Sequence, residues 1–461
     1  MALPAFPATP QIIQTISVYQ YILPASINQG MDEKTGEKTM IKAIKNKISN
    51  INEETVYTWL CLGIVYTMLF WTYLNSILSI ILVIFWLVRS KKKFDLATRQ
   101  TKLMLLFASL YIVGLVGMLY TDNTENGVFS LQKQSPLLFF PLVFGTTDLL
   151  SRGFLKKITT HFLIAVGLAC AAGLFYGAVN FIKTSNLIML TGSNLLVFHG
   201  FYPGIMGLYC LLGLIIIFYR WSDSGKITSI LWILAGLLTM FIFLLSIRLI
   251  IFCWMLLVLY FLGSRVHKMQ YKLLLSLSLA AVIVISGFTI PTLKKQWNEF
   301  TDFSRQNTIV LDKDSSMGKS WGGKAIRIAI WRCSAGILRN HWMTGVGTGD
   351  IQDSLQQAYE NRKFYFASRY NQYNAHNQYL QVTLGYGISG LLLLLLCIVV
   401  PLYRYNEKFS SRIYMMFLLL FVIIGFSESI LEVNKGIIWY SFFNSIFAFG
   451  YLKNNHLQNL T

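Results

Sequence analysis

Long apolar runs alternate with short charged segments along most of this chain. The first run, Val56–Val88, is 33 residues without a charge. As a helix it would extend about 50 Å, too long for one membrane crossing and tight for two. Asn75 and Ser76 near its middle predict a hairpin of two short spans. Further runs predict spans at about Leu103–Leu119, Pro136–Leu149, Ile158–Phe181, His199–Tyr219, Ile227–Leu245, Leu249–Leu262, Leu273–Ile290, Tyr379–Leu402, Tyr414–Phe426 and Ile437–Tyr451. The pattern predicts an all-α polytopic membrane protein of about 12 transmembrane helices.

Charge orients these spans. The loops Arg89–Lys102, Ser151–Lys157, Arg220–Lys226, Gly263–Lys272 and Tyr403–Arg412 together hold 17 Lys and Arg. The short connections of the other side hold four: Lys133, Lys183, Arg248 and Lys435. Positive loops stay in the cytoplasm, so the first set and both termini are expected inside. Residues 1–55 then form a cytoplasmic segment, with five lysines in Met31–Asn50, and 452–461 a cytoplasmic tail. Gln11–Ile27 could form a short interfacial helix. The spans fall in 56–290 and 378–451, separated by residues 291–377 on the outer side. That loop has 12 basic and 7 acidic residues. It is too long for a connector, and long loops usually carry function.

Composition agrees. The chain of 461 residues is 55% hydrophobic and 13% charged, where a soluble domain carries about 25% charged residues. The net charge of +19 reflects the inner loops and indicates no nucleic-acid partner. Six cysteines without a CxxC indicate neither a disulfide framework nor a zinc site. The first 30 residues lack the basic start and apolar core of a cleavable signal peptide.

Several outer-side residues can carry chemistry. Arg248 lies where two spans meet. It either faces a cavity or an anion, or snorkels to lipid phosphates. Lys324–Asn340 has the apolar spacing of an amphipathic helix, with Arg327 one turn before Trp331. An arginine binds phosphate through two hydrogen bonds, but a solvated surface arginine is the plainer reading. Gly345, Gly347 and Gly349 either present backbone N–H groups to an anion or end a helix. Asp312 and Asp314 form a weak candidate metal pair. His376, followed by Asn377, can take a proton near neutral pH, or be one more polar ring among interfacial tyrosines. His199 and His341 are placed similarly.

The order of these motifs resembles one family. It runs Ser246–Arg248, then Arg327–Trp331, then Gly345–Gly349, then His376–Asn377 through Leu380, Gly387 and Leu391. With the span layout and the single long outer loop, this resembles the O-antigen ligase / O-antigen polymerase superfamily from about Val56 to Tyr451. His199–Gly204 is similar to the family's HPxY segment and includes Tyr202, with Gly200 in place of proline. His341 likewise stands where a proline often occurs.

The resemblance implies a GT-C-type glycosyltransferase with its long, partly helical loop in the periplasm and its body in the bacterial inner membrane. It implies an undecaprenyl-pyrophosphate-linked glycan donor and a lipid A–core acceptor. His376, Arg248 and Arg327 would be catalytic, with Arg248, Arg327, Asn377, Trp331 and Tyr202 binding substrate, and with no metal or cofactor. A repeat-unit polymerase and a protein O-oligosaccharyltransferase remain alternatives within the superfamily. A transporter of lipid-linked glycans is the alternative of another class. It is disfavoured by the lack of apparent repeats and paired broken helices in the sequence.

Overall fold

The computed structural model describes residues 53–89, 98–147, 150–197, 201–224, 228–263, 268–294, 323–404 and 409–458. Two units are distinguished, 1–56 and 57–461. Of the first, only the opening residues of a helix are described, so the Gln11–Ile27 expectation lies outside the described residues. So do His199, Asp312 and Asp314.

The described chain is helical. The bundle helices are α1 (Glu53–Phe70), α2 (Thr72–Arg89), α3 (Arg99–Gly117), α4 (Thr124–Gln134), α5 (Pro136–Thr146), α6 (Arg152–Thr184), α7 (Pro203–Ser224), α8 (Ser229–Leu245), α9 (Arg248–Gly263) and α10 (Met269–Thr289). The long loop contributes α11 (Gly323–His341) and α12 (Ile351–Asn361). The chain then returns through α13 (Gln378–Arg404), α14 (Phe409–Gly425) and α15 (Asn434–Gln458). Among the described residues, five helical segments are long and apolar enough to cross a membrane: 72–89, 99–120, 152–184, 203–222 and 378–403. Others are shorter. The Pro136–Leu149 expectation, for example, corresponds to an 11-residue helix, α5.

The first apolar run does fold back on itself. The break falls at Trp71, four residues before Asn75. Asn75 lies in the first turn of the returning helix and donates to the Ile64 carbonyl at 2.9 Å and to Thr67 Oγ1 at 3.0 Å. Tyr57 and Phe85 meet edge to face, 4.9 Å between ring centroids, so the two helices lie antiparallel. The amide therefore clamps the hairpin from inside, rather than forming its turn.

At the centre of the bundle α7 is almost wholly buried. It packs with α6, α8, α9 and α14. The aromatic face of α15 completes the core, with Trp439, Tyr440, Phe442 and Phe443 buried. A second, smaller core lies in the loop lobe. Ala329, Ile330, Cys333, Leu355, Tyr359 and Phe364 pack there with Ala375 and Leu384. The lobe thus sits on the beginning of α13.

The ends of the bundle are fixed by side-chain contacts. The Tyr209 hydroxyl donates to the Lys435 carbonyl at 2.9 Å, and the Lys435 ammonium lies 4.1 Å above the Phe201 ring. At the opposite end the Arg220 guanidinium donates to Thr159 and Thr160 of α6. The starts of α7 and α15 therefore lie at one end, which is also the lobe end.

Candidate functional site

The lobe end gathers polar groups from four places in the chain. Arg327 projects from the first turns of α11. One guanidinium nitrogen lies 3.1 Å from Glu428 Oε1, and its Nε donates to the Ser427 carbonyl at 3.3 Å. Another guanidinium nitrogen donates to the Gly323 carbonyl at 3.4 Å. Both side chains of the ion pair are about one-third exposed, 31% and 29%. Such pairs contribute about 1 kcal/mol or less, so another anion can exchange with the carboxylate.

His376 stands on the other side of the same carboxylate. Its Nδ1 is 3.8 Å from Glu428 Oε2, beyond hydrogen-bond distance. The Tyr373 ring lies 5.3 Å from the imidazole, centroid to centroid. Burial raises the Tyr373 phenol above its ordinary pKa, and the nearby positive charge of Arg327 opposes that rise. The positions on either side of His376 are tightly held. The Trp331 indole donates to the Ala375 carbonyl at 3.1 Å, and the Ala375 N–H donates to Gln381 Oε1 at 3.0 Å. Trp331 thus acts on the backbone next to His376, one turn of α11 away from Arg327.

His376 itself has φ +42°, in the left-handed region. A non-glycine residue there costs on the order of 1–3 kcal/mol and persists where its surroundings impose it. Here Asn374 accepts the His376 N–H at 2.9 Å, and Asn377 starts α13 immediately afterwards. Asn377 Oδ1 caps that helix, accepting the N–H groups of Tyr379 and Leu380 at 3.0 Å each. Its amide donates to the Phe426 carbonyl at 3.3 Å, and its backbone N–H donates to Ser429 Oγ at 3.2 Å. Asn377 therefore ties the His376 strap to the turn that carries Glu428. Its observed partners are structural, and it is buried.

Arg248 opens α9 and is exposed. One turn of α7 relates Gly204 to Gly207. A Cβ on Gly204 would lie 3.5 Å from Glu428 Oε1, and one on Gly207 would meet Ile250 at 2.8 Å. Ile250 is two residues from Arg248, so the start of α9 stands beside the part of α7 that faces Glu428. Ser246 just before it is buried with φ +59° and accepts a 2.5 Å hydrogen bond from Thr292 at the end of the bundle before the loop. Tyr202, one residue before α7, is exposed at the same end.

The glycine run has a different task from anion binding. The Val346 and Gly347 N–H groups donate to the Leu384 and Gly385 carbonyls at 2.8 and 3.1 Å, and Gly349 N–H donates to Thr121 Oγ1 at 2.8 Å. Gly345 N–H closes the end of α11 on the His341 carbonyl at 2.8 Å. Of the two readings left open by the sequence, the helix-ending turn is the one that holds. It also docks the lobe on α13. In response α13 is broken at Gly387, with φ +60° and ψ −156°. A Cβ there would lie 2.1 Å from the Met343 carbonyl oxygen.

Glu428 was not singled out by sequence reasoning. It is one acid at the end of an apolar run, in GFSESILEVNK, where it reads as ordinary interfacial polarity. The usable signal was its position at the same end of the bundle as Arg248 and His376. Among the described residues no group of three or more His, Cys, Asp or Glu could hold a metal ion.

These features define a multi-pass helical membrane protein in which Arg327, His376 and Glu428 meet at one end of the bundle, the end at which Arg248 opens α9. Residues 208–395 match the O-antigen ligase family profile, and over that stretch the chain is O-antigen ligase-like. The match runs from α7 into α13 and includes Arg248, Arg327 and His376. Glu428 and Tyr202 lie outside it. Members of that family are glycosyltransferase-like ligases and polymerases. A search of curated proteins returned no match.

Proposed function

We propose that this protein transfers a glycan from undecaprenyl pyrophosphate to a hydroxyl of a lipid A–core acceptor at the periplasmic face of the bacterial inner membrane. The observation that carries this reading is the meeting of Arg327 and His376 at one carboxylate, 3.1 and 3.8 Å away, where the apolar bundle ends. A lipid-linked donor keeps its polyprenyl chain in the membrane, so its pyrophosphate must react at such an end.

The chemistry needs two things. Negative charge grows on the departing pyrophosphate, and preorganised cations stabilise it. Removing one such donor typically costs about 3 kcal/mol. Arg327 and Arg248 supply that charge without a metal. The attacking hydroxyl must lose a proton, and His376 takes it, a contribution of roughly 10²–10⁴-fold. Direct displacement inverts the anomeric centre. The basic excess of the opposite loops supports placing this end in the periplasm.

A polymerase would present the same donor site, with a second repeat unit as the acceptor. Deleting the gene and examining lipopolysaccharide on a gel separates the readings. Loss of the whole ladder, with lipid-linked polymer accumulating, is expected. Core bearing a single repeat unit would indicate a polymerase. An unchanged ladder would point to another acceptor, such as protein hydroxyls.

A further inference from the structure

Glu428 sits between the phosphate-binding group and the base. Its Oε1 forms an ion pair with Arg327 at 3.1 Å, while its Oε2 stops 3.8 Å short of His376 Nδ1. That nitrogen is buried and makes no hydrogen bond among the described residues. Buried polar atoms are normally satisfied, and an unpaired one calls for a reason. Among the described residues, the groups around the imidazole leave one candidate partner. Asn374 Oδ1 is engaged by the His376 N–H, and Tyr373 presents its ring. Among the described residues Glu428 is the carboxylate within 4 Å of the imidazole, and it is held back by Arg327.

We infer that Glu428 is a positioning residue which the donor switches from Arg327 to His376. The inference rests on the function proposed above. A pyrophosphate carries more charge than a carboxylate and offers oxygens to both nitrogens of a guanidinium edge. Its arrival at Arg327 displaces Oε1. The freed carboxylate closes the 3.8 Å gap and accepts a hydrogen bond from Nδ1–H. That selects the imidazole tautomer with Nε2 unprotonated and ready to act as a base.

The transfer then balances. The acceptor oxygen bonds to the anomeric carbon, and its proton passes to Nε2. The bond from the anomeric carbon to the pyrophosphate oxygen breaks, and its electron pair leaves with polyprenyl pyrophosphate. The imidazolium formed is stabilised by Glu428. Donor occupancy and base orientation are thereby coupled through one side chain, and the acceptor is activated only beside a bound donor.

The test uses the purified full chain in lipid nanodiscs with a polyprenyl-pyrophosphate glycan. Donor affinity and the pH dependence of single-turnover transfer are measured for the native chain, Glu428→Gln and His376→Ala. Among the described residues, the charged and titratable groups around the imidazole are Glu428, Tyr373 and, behind Glu428, Arg327. Glu428→Gln frees Arg327 of its competitor, so donor should bind up to about fivefold tighter. The transfer rate should nonetheless fall at least about tenfold. A carboxylate beside an imidazole favours its protonated form, so its loss should move the acidic limb of the rate profile to lower pH.

Weaker donor binding with an unmoved acidic limb would overturn the switch and leave Glu428 as a structural tether. Should Glu428→Gln fail to unfold cooperatively, Glu428→Asp replaces it. That side chain is too short to reach both partners, and the same three changes are expected in smaller measure. Native transfer by His376→Ala would contradict the proposed function itself. An inactive His376→Ala beside a native-like Glu428→Gln would overturn only the switch.

Discussion

Gly345 and Gly385 touch backbone to backbone. A Cβ on Gly345 would lie 2.4 Å from both the carbonyl carbon and the oxygen of Gly385. This contact seats the lobe that carries Arg327 on the helix that follows His376, so it sets the spacing of the site from behind. Gly345→Ala adds that clash to an unfavourable φ of +73°. The expected cost is about 2–4 kcal/mol, seen as a lower thermal unfolding midpoint in detergent. Gly236→Ala, where a Cβ meets nothing within 4 Å, is the control and should leave the midpoint unchanged or slightly raised. Equal midpoints for Gly345→Ala and the native protein would mean that the lobe is not seated this way.

The arginines should not tolerate lysine. Arg327 uses separate nitrogens on Glu428, Ser427 and Gly323, a spread that one ammonium cannot reproduce. Arg327→Lys and Arg248→Lys are each expected to lose roughly 10²-fold in kcat/KM, close to the corresponding alanine variants. Native kinetics in either lysine variant would show that point charge alone suffices there.

A buried lysine should matter for folding rather than for transfer. Lys435 is 2% exposed and donates to the Met68 and Leu69 carbonyls at 3.2 and 3.0 Å, closing the end of α1 beside the hairpin turn. Lys435→Met keeps the volume and leaves those carbonyls without this donor. A loss of about 1–3 kcal/mol is expected, read as a lower unfolding midpoint, with the rate per folded molecule retained. A collapse of transfer at an unchanged midpoint would instead place Lys435 in the chemistry.

Chelation should leave transfer intact, because arginine charge serves the leaving group. EDTA treatment followed by the transfer assay checks this. Strong inhibition that is reversed by a divalent cation would bring Asp312 and Asp314 into the mechanism.

Elements with a regular period were legible in the sequence, and elements set by distant partners were not. The spacing of Ile326, Ile330, Cys333 and Ile337 predicted α11 to within a residue at each end, because burial against one lobe core imposes that period. The same pattern placed Arg327 one turn before Trp331. The hairpin break was misplaced by four residues. Asn75 looked like a turn residue, yet its amide is buried against Ile64 and Thr67. The glycine run stayed ambiguous because positive φ suits both an anion nest and a docking turn, and Gly385–Gly387, its partner, lies far along the chain. Glu428 escaped for a related reason. Glu428 is one of two carboxylates, with Glu432, in the turn after an apolar helix, and nothing local marks it; its meaning comes from Arg327, about 100 residues earlier.

One measurement bears most directly on the central claim. Purified protein is given a synthetic undecaprenyl-pyrophosphate glycan and a lipid A–core acceptor, and both donor binding and product are followed for the native chain and His376→Ala. The native chain is expected to form the glycosylated acceptor with inverted anomeric configuration. His376→Ala is expected to bind donor and unfold normally while transferring at least about 100-fold more slowly. Undiminished transfer by His376→Ala, or no transfer by the native chain from this donor, would contradict the account.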